Sequence, residues 1–201
     1  MRLLVIDFEA TCWEVRPDPF IQEIIEIGCA VVDPESLKTA FTYSAFIKPV
    51  YNPQLSDFCV SLTGITQSFL DINGKPFKEV VDDFCSIVQP EDIFCSWGAF
   101  DYNIMKNNCE IFKCDYPFKT GHVNVKPLLG RLMKNWRSSG IGLAKAIWKL
   151  GMTFQGQQHS GIDDAKNVVR VLSAVNDKIS STETSLLEEI KKISQGAGER
   201  S

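Results

Sequence analysis

Two acidic residues follow an apolar run close to the start of the chain. The run Leu3–Ile6 is followed by Asp7 and, two positions later, by Glu9. Residues i and i+2 of a β-strand point to the same face, so the two carboxylates share one side of a strand end. Such like charges repel unless a cation lies between them, and a divalent ion with oxygen ligands meets that need. The alternative is a pair of solvent-exposed acids on an edge strand, but the apolar run favours a central strand.

A third acid occupies a similar position later in the chain. Asp101 follows the short apolar run "IFCSW" and the turn-like pair Gly98-Ala99, where a strand gives way to a helix. Functional groups of α/β sheets gather at such strand ends. The alternative is an ordinary acid in the first turn of a helix, where the helix dipole favours it.

The segment "HSGIDDAKN" contains the remaining candidates. His159 precedes a predicted amphipathic helix, and Asp164 lies in the first turn of that helix. A histidine on this loop can lie over a site that Asp164 faces. The alternative is a helix that begins with Asp163 and Asp164 and has an unrelated histidine before it.

The candidates together predict a metal-dependent attack on a phosphodiester. Asp7, Glu9, Asp101 and Asp164 offer hard oxygen ligands, which suit two Mg²⁺ or Mn²⁺ ions better than zinc. Two such ions form the clamp used for in-line displacement at phosphorus. His159 is the candidate general base that takes the proton of the attacking water. The formal net charge of −4 equals the charge of the four candidate carboxylates, so the acidity fits metal binding and does not exclude nucleic acid.

The elements that must position these residues alternate between strand and helix patterns. This order predicts an α/β or α+β layer structure. The predicted strands are Leu3–Asp7, Glu23–Val32, Phe41–Ile47 and Ile93–Ser96. The predicted helices are Pro76–Val88, Ala99–Cys109, Leu143–Leu150, Asp163–Val175 and a C-terminal amphipathic helix Glu183–Ile193 that Ser180–Thr182 could cap. We divide the chain into a domain of residues 1–178 and a tail of residues 179–201, with fraying expected from Gly196 to Ser201.

The composition narrows the class of protein further. The chain of 201 residues has no apolar run of the length that crosses a bilayer and no secretory signal pattern at its start. Its seven cysteines are odd in number, lie mostly in apolar segments and do not form a complete zinc set. These observations predict a cytoplasmic protein with reduced thiols and no association with membranes.

The ordered set of acidic residues and histidine resembles the DEDDh 3′→5′ exonucleases, the superfamily of RNase T and of polymerase proofreading subunits. Asp7-Phe8-Glu9 matches the D-x-E motif, Asp101 matches the second motif, and His159 with Asp164 matches H-x-x-x-x-D. The stretches "DFEATCW", "QEIIEIG", "NPQLSDFCVSLTGIT" and "HSGIDDAKN" resemble the enhanced-RNAi exoribonuclease branch, over about residues 2–176.

The resemblance implies a ribonuclease H-like fold with a mixed five-stranded sheet flanked by helices. It implies hydrolysis of RNA from the 3′ end to 5′-mononucleotides. It also implies a pocket for the terminal nucleotide, with its base between Phe58 and Phe100. The full set of expected nucleotide contacts is Glu9, Ala10, Thr11, Phe58, Leu62, Thr63, Phe100 and His159.

Two alternatives stay open at this point. One is a 3′→5′ DNA exonuclease, because the acidic set does not distinguish sugars and that choice rests on contacts to the 2′-hydroxyl. The other is a non-catalytic module that binds RNA ends. A missing acid or histidine would have favoured this module, and none of the five is missing. The charge pattern does not indicate a long basic groove that could hold the middle of a nucleic-acid strand. We therefore expect a pocket that accepts the end of a strand.

Overall fold

The computed structural model describes residues 1–179 and 185–198, and a mixed sheet of five strands lies at its centre. The strands are β1 (Leu3–Ala10), β2 (Ile24–Val32), β3 (Thr39–Phe46), β4 (Ile93–Ser96) and β5 (Val123–Asn124), in the spatial order β3-β2-β1-β4-β5. β1 lies between β2, which is antiparallel to it, and β4, which is parallel. The predicted central position of the first strand is therefore confirmed, and the edge-strand alternative is wrong.

Helices cover both faces of this sheet. The described residues form α1 (Asp57–Thr63), α2 (Gln67–Asn73), α3 (Phe77–Ile87), α4 (Phe100–Phe112), α5 (Val125–Leu132), α6 (Leu143–Lys149), α7 (Gly161–Ile179) and α8 (Leu186–Gly198). With the strand order above, they confirm the predicted α/β class and the mixed five-stranded sheet.

The alternation of β1 divides the core between the two faces. Leu3 and Val5 pack in a cluster with α5, α6 and α7, whereas Leu4, Ile6 and Phe8 pack in a second cluster with α3 and α4. All nine residues of β2 are buried. Because side chains alternate along a strand, Asp7 and Glu9 continue the face that Leu3 and Val5 share, which is the face that α7 covers.

Several predicted boundaries need correction. β1 runs three residues beyond the predicted end at Asp7, and α7 extends from Gly161 to Ile179. α8 begins at Leu186, and it continues through Gly196 to Gly198, so the fraying expected there is wrong for residues 196–198. The predicted cap Ser180–Thr182, the predicted start at Glu183 and residues 199–201 lie outside the described part of the chain.

α8 packs on the rest of the fold. Leu186 and Ile190 are fully buried and belong to the cluster that contains α7. No helix among the described residues is long and apolar enough to cross a membrane.

Candidate active site

The end of β1 carries the first two acids. Asp7 lies opposite Gly28 of β2, and Glu9 lies opposite Glu26. Glu9 is 7% exposed, so its carboxylate lies within the protein and not at a solvated edge. The extension of β1 to Ala10 keeps Asp7 and Glu9 in regular strand geometry, where both side chains share one face.

Asp101 approaches the same strand end from α4. It lies in the first turn of that helix and is buried, and its Oδ1 accepts the backbone N–H of Phe8 at 3.0 Å. Phe8 stands between the two acids of β1. This hydrogen bond therefore fixes the third carboxylate beside the other two.

His159 and Asp164 are tied to each other by the loop before α7. The backbone N–H of His159 donates to Asp164 Oδ2 at 2.9 Å, and His159 has a φ of 60° in the left-handed region. The neighbouring acid fixes the loop as well, because Asp163 Oδ2 accepts the N–H of Gln157 at 2.9 Å. Asp163 is only partly exposed, and it helps to hold the loop that presents His159.

The five side chains line a single cavity. Asp7, Glu9, Asp101, His159 and Asp164 surround a volume of about 670 Å³, together with residues of α6 and the loop before it. Ligand atoms of Glu9, His159 and Asp164 all lie within 4.8 Å of one another. This closest group contains His159, which we did not predict as a ligand, and it does not include Asp7 or Asp101, although both line the same cavity.

Burial and mutual repulsion dominate the electrostatics of this cavity. Burial, followed by the charges of the neighbouring carboxylates, raises the pKa of Asp7 well above its ordinary range. The same two causes raise the pKa of Glu9 to about 8. Burial raises the pKa values of Asp101 and Asp164 to about 6 against the opposing effect of their hydrogen bonds. A cluster of oxygen donors that resists ionisation in this way is suited to a hard divalent cation, which would stabilise all the charged forms together.

Glu26 is a buried acid of this region that our prediction missed. Its Oε2 accepts the N–H of Gly161 at 3.0 Å and its Oε1 accepts the N–H of Ile162 at 3.3 Å. These are N–H groups of the first turn of α7, which have no acceptor within their own helix. Glu26 therefore fixes the start of the helix that carries Asp164. An acid within the apolar stretch "EIIEIGCAVV" was the signal that could have found it.

A close contact between glycines brings α7 onto the sheet. A Cβ atom added at Gly28 would lie 2.0 Å from the carbonyl carbon of Gly161. Any side chain at Gly28 would therefore move the beginning of α7, and Asp164 with it, away from the end of β1.

The expected nucleotide contacts fall into two groups. Phe100 lines the cavity and is 48% exposed, while Phe58 and Leu62 lie one turn apart on the exposed face of α1. The Sγ of Cys59 lies 3.7 Å from the carbonyl oxygen of Ala10, which places α1 beside the end of β1.

Thr11 and Thr63, in contrast, are engaged within the protein. The N–H of Thr11 donates to the carbonyl of Glu23, and its hydroxyl accepts the N–H of Glu23. The hydroxyl of Thr63 bonds within α1 and to Ile65, and its carbonyl accepts the side-chain amide of Gln157. Both residues are buried, so they support the walls of the site and offer little surface to a nucleotide. Ala10, Thr11, Phe58, Leu62 and Thr63 are not among the residues that line the 670 Å³ cavity.

The other histidine of the chain lies elsewhere. His122 stacks on Tyr102 and shares a hydrogen bond of 2.8 Å with the hydroxyl of Ser96. Burial lowers its pKa to about 4. It does not line the cavity, so His159 is the histidine that can act there.

A mixed sheet that brings four acids and a histidine to one strand end is the arrangement of a DEDDh nuclease. Residues 4–172 match the family model of the RNase T exonucleases, which is described as "Exonuclease", and the chain belongs to this family. Members of the family use divalent metal ions.

The relatives and solved structures that this chain resembles are exonucleases as well. The 3′-5′ exoribonuclease 1 of Rattus norvegicus is 33% identical over 178 residues, which cover 84% of this chain and 51% of the relative. The nuclease domain of 3′hExo, a DEDDh family member solved with bound rAMP, has a TM-score of 0.77 at 31% identity and covers 90% of this chain and 92% of that one.

A 3′-exonuclease solved in a study of histone mRNA stem-loop recognition has a TM-score of 0.77 at 27% identity, covering 98% and 65% of the two chains. The predicted ribonuclease H-like fold is confirmed. The chain spans about half the length of the curated relative.

Proposed function

We propose that this chain is a metal-dependent 3′→5′ exoribonuclease that releases 5′-mononucleotides from single-stranded RNA ends. The observation that carries the proposal is the convergence of Asp7, Glu9, Asp101, His159 and Asp164 on one cavity. Its support from the comparisons is the similarity to a 3′-5′ exoribonuclease and to a nuclease domain solved with rAMP, a product-like ribonucleotide.

The residues of the cavity fit two Mg²⁺ or Mn²⁺ ions held by Asp7, Glu9, Asp101 and Asp164. Burial raises the pKa of all four carboxylates, and the charges of other acids in the cluster raise the pKa values of Asp7, Glu9 and Asp101 further. Bound cations would relieve both effects. When bound, such ions lower the pKa of a coordinated water and neutralise charge on the phosphate.

The protein's own residues supply orientation and proton transfer. His159 lies within reach of Glu9 and Asp164 at the open side of the cavity, where its ring accepts the proton of the attacking water. The water oxygen forms a bond to phosphorus and the bond to the 3′-oxygen of the preceding nucleotide breaks. That oxygen takes up a proton, and the last nucleotide leaves with a 5′-phosphate.

The 3′→5′ direction of degradation follows from the position at which the terminal base can be held. Phe58 and Leu62 on α1, beside the end of β1, and Phe100 on α4, in the lining of the cavity, present exposed apolar surface near the acid cluster. A terminal base that stacks on these aromatic rings places the last phosphodiester over the carboxylates. This arrangement accepts an end, and a base paired in a duplex must first be unpaired at a cost of a few kcal/mol.

The experiment compares four substrates of one sequence with Mg²⁺: a linear RNA with a free 3′-hydroxyl, the same RNA blocked at its 3′ end, its circular form and the matching linear DNA. We expect the linear RNA to shorten one nucleotide at a time, the blocked RNA to react slowly and the circle to resist. Internal fragments from the circle would contradict the proposal. Faster degradation of the DNA would favour the alternative, a DNA exonuclease.

A location in the cytoplasm stays a prediction. All seven cysteines are free thiols in the structure, which supports a reducing environment.

A further inference from the structure

The charge of this acidic chain is distributed very unevenly. Residues 116–162 contain seven lysines and arginines and no aspartate or glutamate. The rest of the chain, with 14 basic and 25 acidic residues, therefore carries a formal charge of −11. We expected no long basic groove from the charge pattern of the whole chain, yet this segment alone carries a formal charge of +7.

The basic segment forms one wall of the catalytic cavity. It contains α5, α6 and the connection between them, and Gly142, Leu143, Ala144 and Lys145 at the start of α6 line the cavity. The indole N–H of Trp97, another residue of the lining, donates to the carbonyl of Ile141 at 3.0 Å. This hydrogen bond holds the beginning of α6 at the edge of the acid cluster.

One face of α6 continues from the cavity onto the surface. Lys145 is followed three and four positions later by Trp148 and Lys149, so the three side chains share a face of the helix. Trp148 is 74% exposed, whereas the other three tryptophans are partly or fully buried. The ammonium of Lys149 lies 3.3 Å from the carbonyl of Asn135, next to the exposed Lys134.

These cations are available to an anionic ligand. Within residues 1–179 and 185–198, neither Lys145 nor Lys149 lies in an ion pair with a carboxylate. An exposed tryptophan between two such lysines combines the two features that hold single-stranded nucleic acid, which are a surface for base stacking and charges for the phosphates.

We propose that this face of α6, formed by Lys145, Trp148 and Lys149, binds the RNA strand that precedes the terminal nucleotide. The inference rests on the function proposed above, in which the last base lies against α1 and Phe100. The preceding strand then crosses the wall of the cavity that α6 forms, where Lys145 meets the first upstream phosphate. One helical turn farther on, Trp148 stacks on an upstream base and Lys149 meets its phosphate.

The proposal is tested by the length of the RNA that each variant can use. The first cleavage of a dinucleotide and of a single-stranded octanucleotide is measured at fixed Mg²⁺ over a range of monovalent salt, for Trp148→Ala and Lys149→Ala separately. The control is the double variant Ile72→Ala/Lys38→Ala, which removes an apolar side chain that is 81% exposed and an exposed lysine far along the sequence from α6.

For the octanucleotide, Trp148→Ala should lower kcat/KM by about 5- to 150-fold through lost stacking. Lys149→Ala should reduce the slope of log kcat/KM against log salt by about 0.7, the value for one phosphate contact of a single strand. Both variants should cleave the dinucleotide as the wild type does, and the control should match the wild type on both substrates.

Each failure has a separate meaning. A wild-type protein that cleaves neither RNA contradicts the proposed function itself. A wild type that cleaves both, with variants that keep the full octanucleotide rate, refutes the role of α6 and leaves the function intact. Equal losses on the dinucleotide and the octanucleotide would also refute it, because the defect would then lie in the catalytic cavity.

Discussion

Glu9→Gln should stabilise the metal-free protein while it abolishes activity. Glu9 is buried opposite Glu26, and burial with the charges of Asp164, Glu26 and Asp101 raises its pKa from 4.5 to about 8. At pH 7 this difference in the pKa of Glu9 between the folded and unfolded states lowers the free energy of unfolding by about 3 kcal/mol, compared with a protein that has a neutral side chain at this position. Glutamine keeps the shape and removes the titration, so the variant should gain up to that amount.

The sign of the pH dependence follows from the direction of the shift. A carboxyl whose pKa is raised in the folded state holds a proton that the unfolded chain releases above pH 4.5. The stability of the wild type therefore falls as pH rises from about 4.5 through about 8. At pH 5 the difference between the variant and the wild type should shrink to about 1 kcal/mol.

The assay is denaturant unfolding of chelator-treated protein at pH 5 and pH 7, with Glu91→Gln as a control at an exposed glutamate. The control should change stability little at either pH. Added Mg²⁺ should stabilise the wild type and should stabilise Glu9→Gln much less, because a ligand has been lost. An equal or lower stability of Glu9→Gln at pH 7 without metal would refute the account of the acid cluster.

Three further changes test other parts of the site. His159→Ala should lower kcat by about 10²- to 10⁴-fold with the fold intact, and normal turnover would assign the base elsewhere. Glu26→Ala should lower the free energy of unfolding by about 1–3 kcal/mol, since two N–H groups of α7 lose their acceptor, and it should lower kcat more than it raises KM. Glu26→Gln should recover most of the stability and most of kcat. An unchanged kcat in Glu26→Ala would exclude a positioning role for Glu26. Phe58→Ala should weaken binding of the RNA end by about 1–3 kcal/mol in a KM or titration measurement, whereas Phe41→Ala, at a side chain that is likewise 42% exposed, should not.

The parts of the fold that the sequence predicted have strong periodicity or long apolar runs. β1, β2, α3, α4 and α7 follow such patterns, and their predicted positions differ from the structure mainly at the ends. α1 and α2 have seven residues each, too short for a clear helical period, and they depend on the caps Ser56 and Thr66. α5 contains Pro127 and Gly130, which indicate a loop when they are considered locally. β5 has two residues and forms because β4 offers it a parallel edge.

The site shows the same division between local and long-range information. The carboxylates were predictable because strand geometry and helix starts fix them locally, as for Asp7 and Asp164. Glu26 was missed because its role depends on a hydrogen bond across 135 positions of sequence. Thr11 and Thr63 were predicted as nucleotide contacts from the resemblance to the family. Their burial and internal hydrogen bonds come from tertiary packing, which the sequence pattern does not display.

The most direct test of the central claim is the fate of the water oxygen. Wild-type protein with Mg²⁺ is given a linear RNA in water enriched in ¹⁸O, with chelator-treated protein and Asp7→Asn as controls, and the released nucleotides are examined by mass spectrometry. We expect one ¹⁸O atom in the 5′-phosphate of each newly released mononucleotide, and turnover reduced about 10³-fold or more in Asp7→Asn. Unlabelled products, 3′-phosphates, or full turnover by the Asp7→Asn variant would contradict hydrolysis at this cluster of carboxylates.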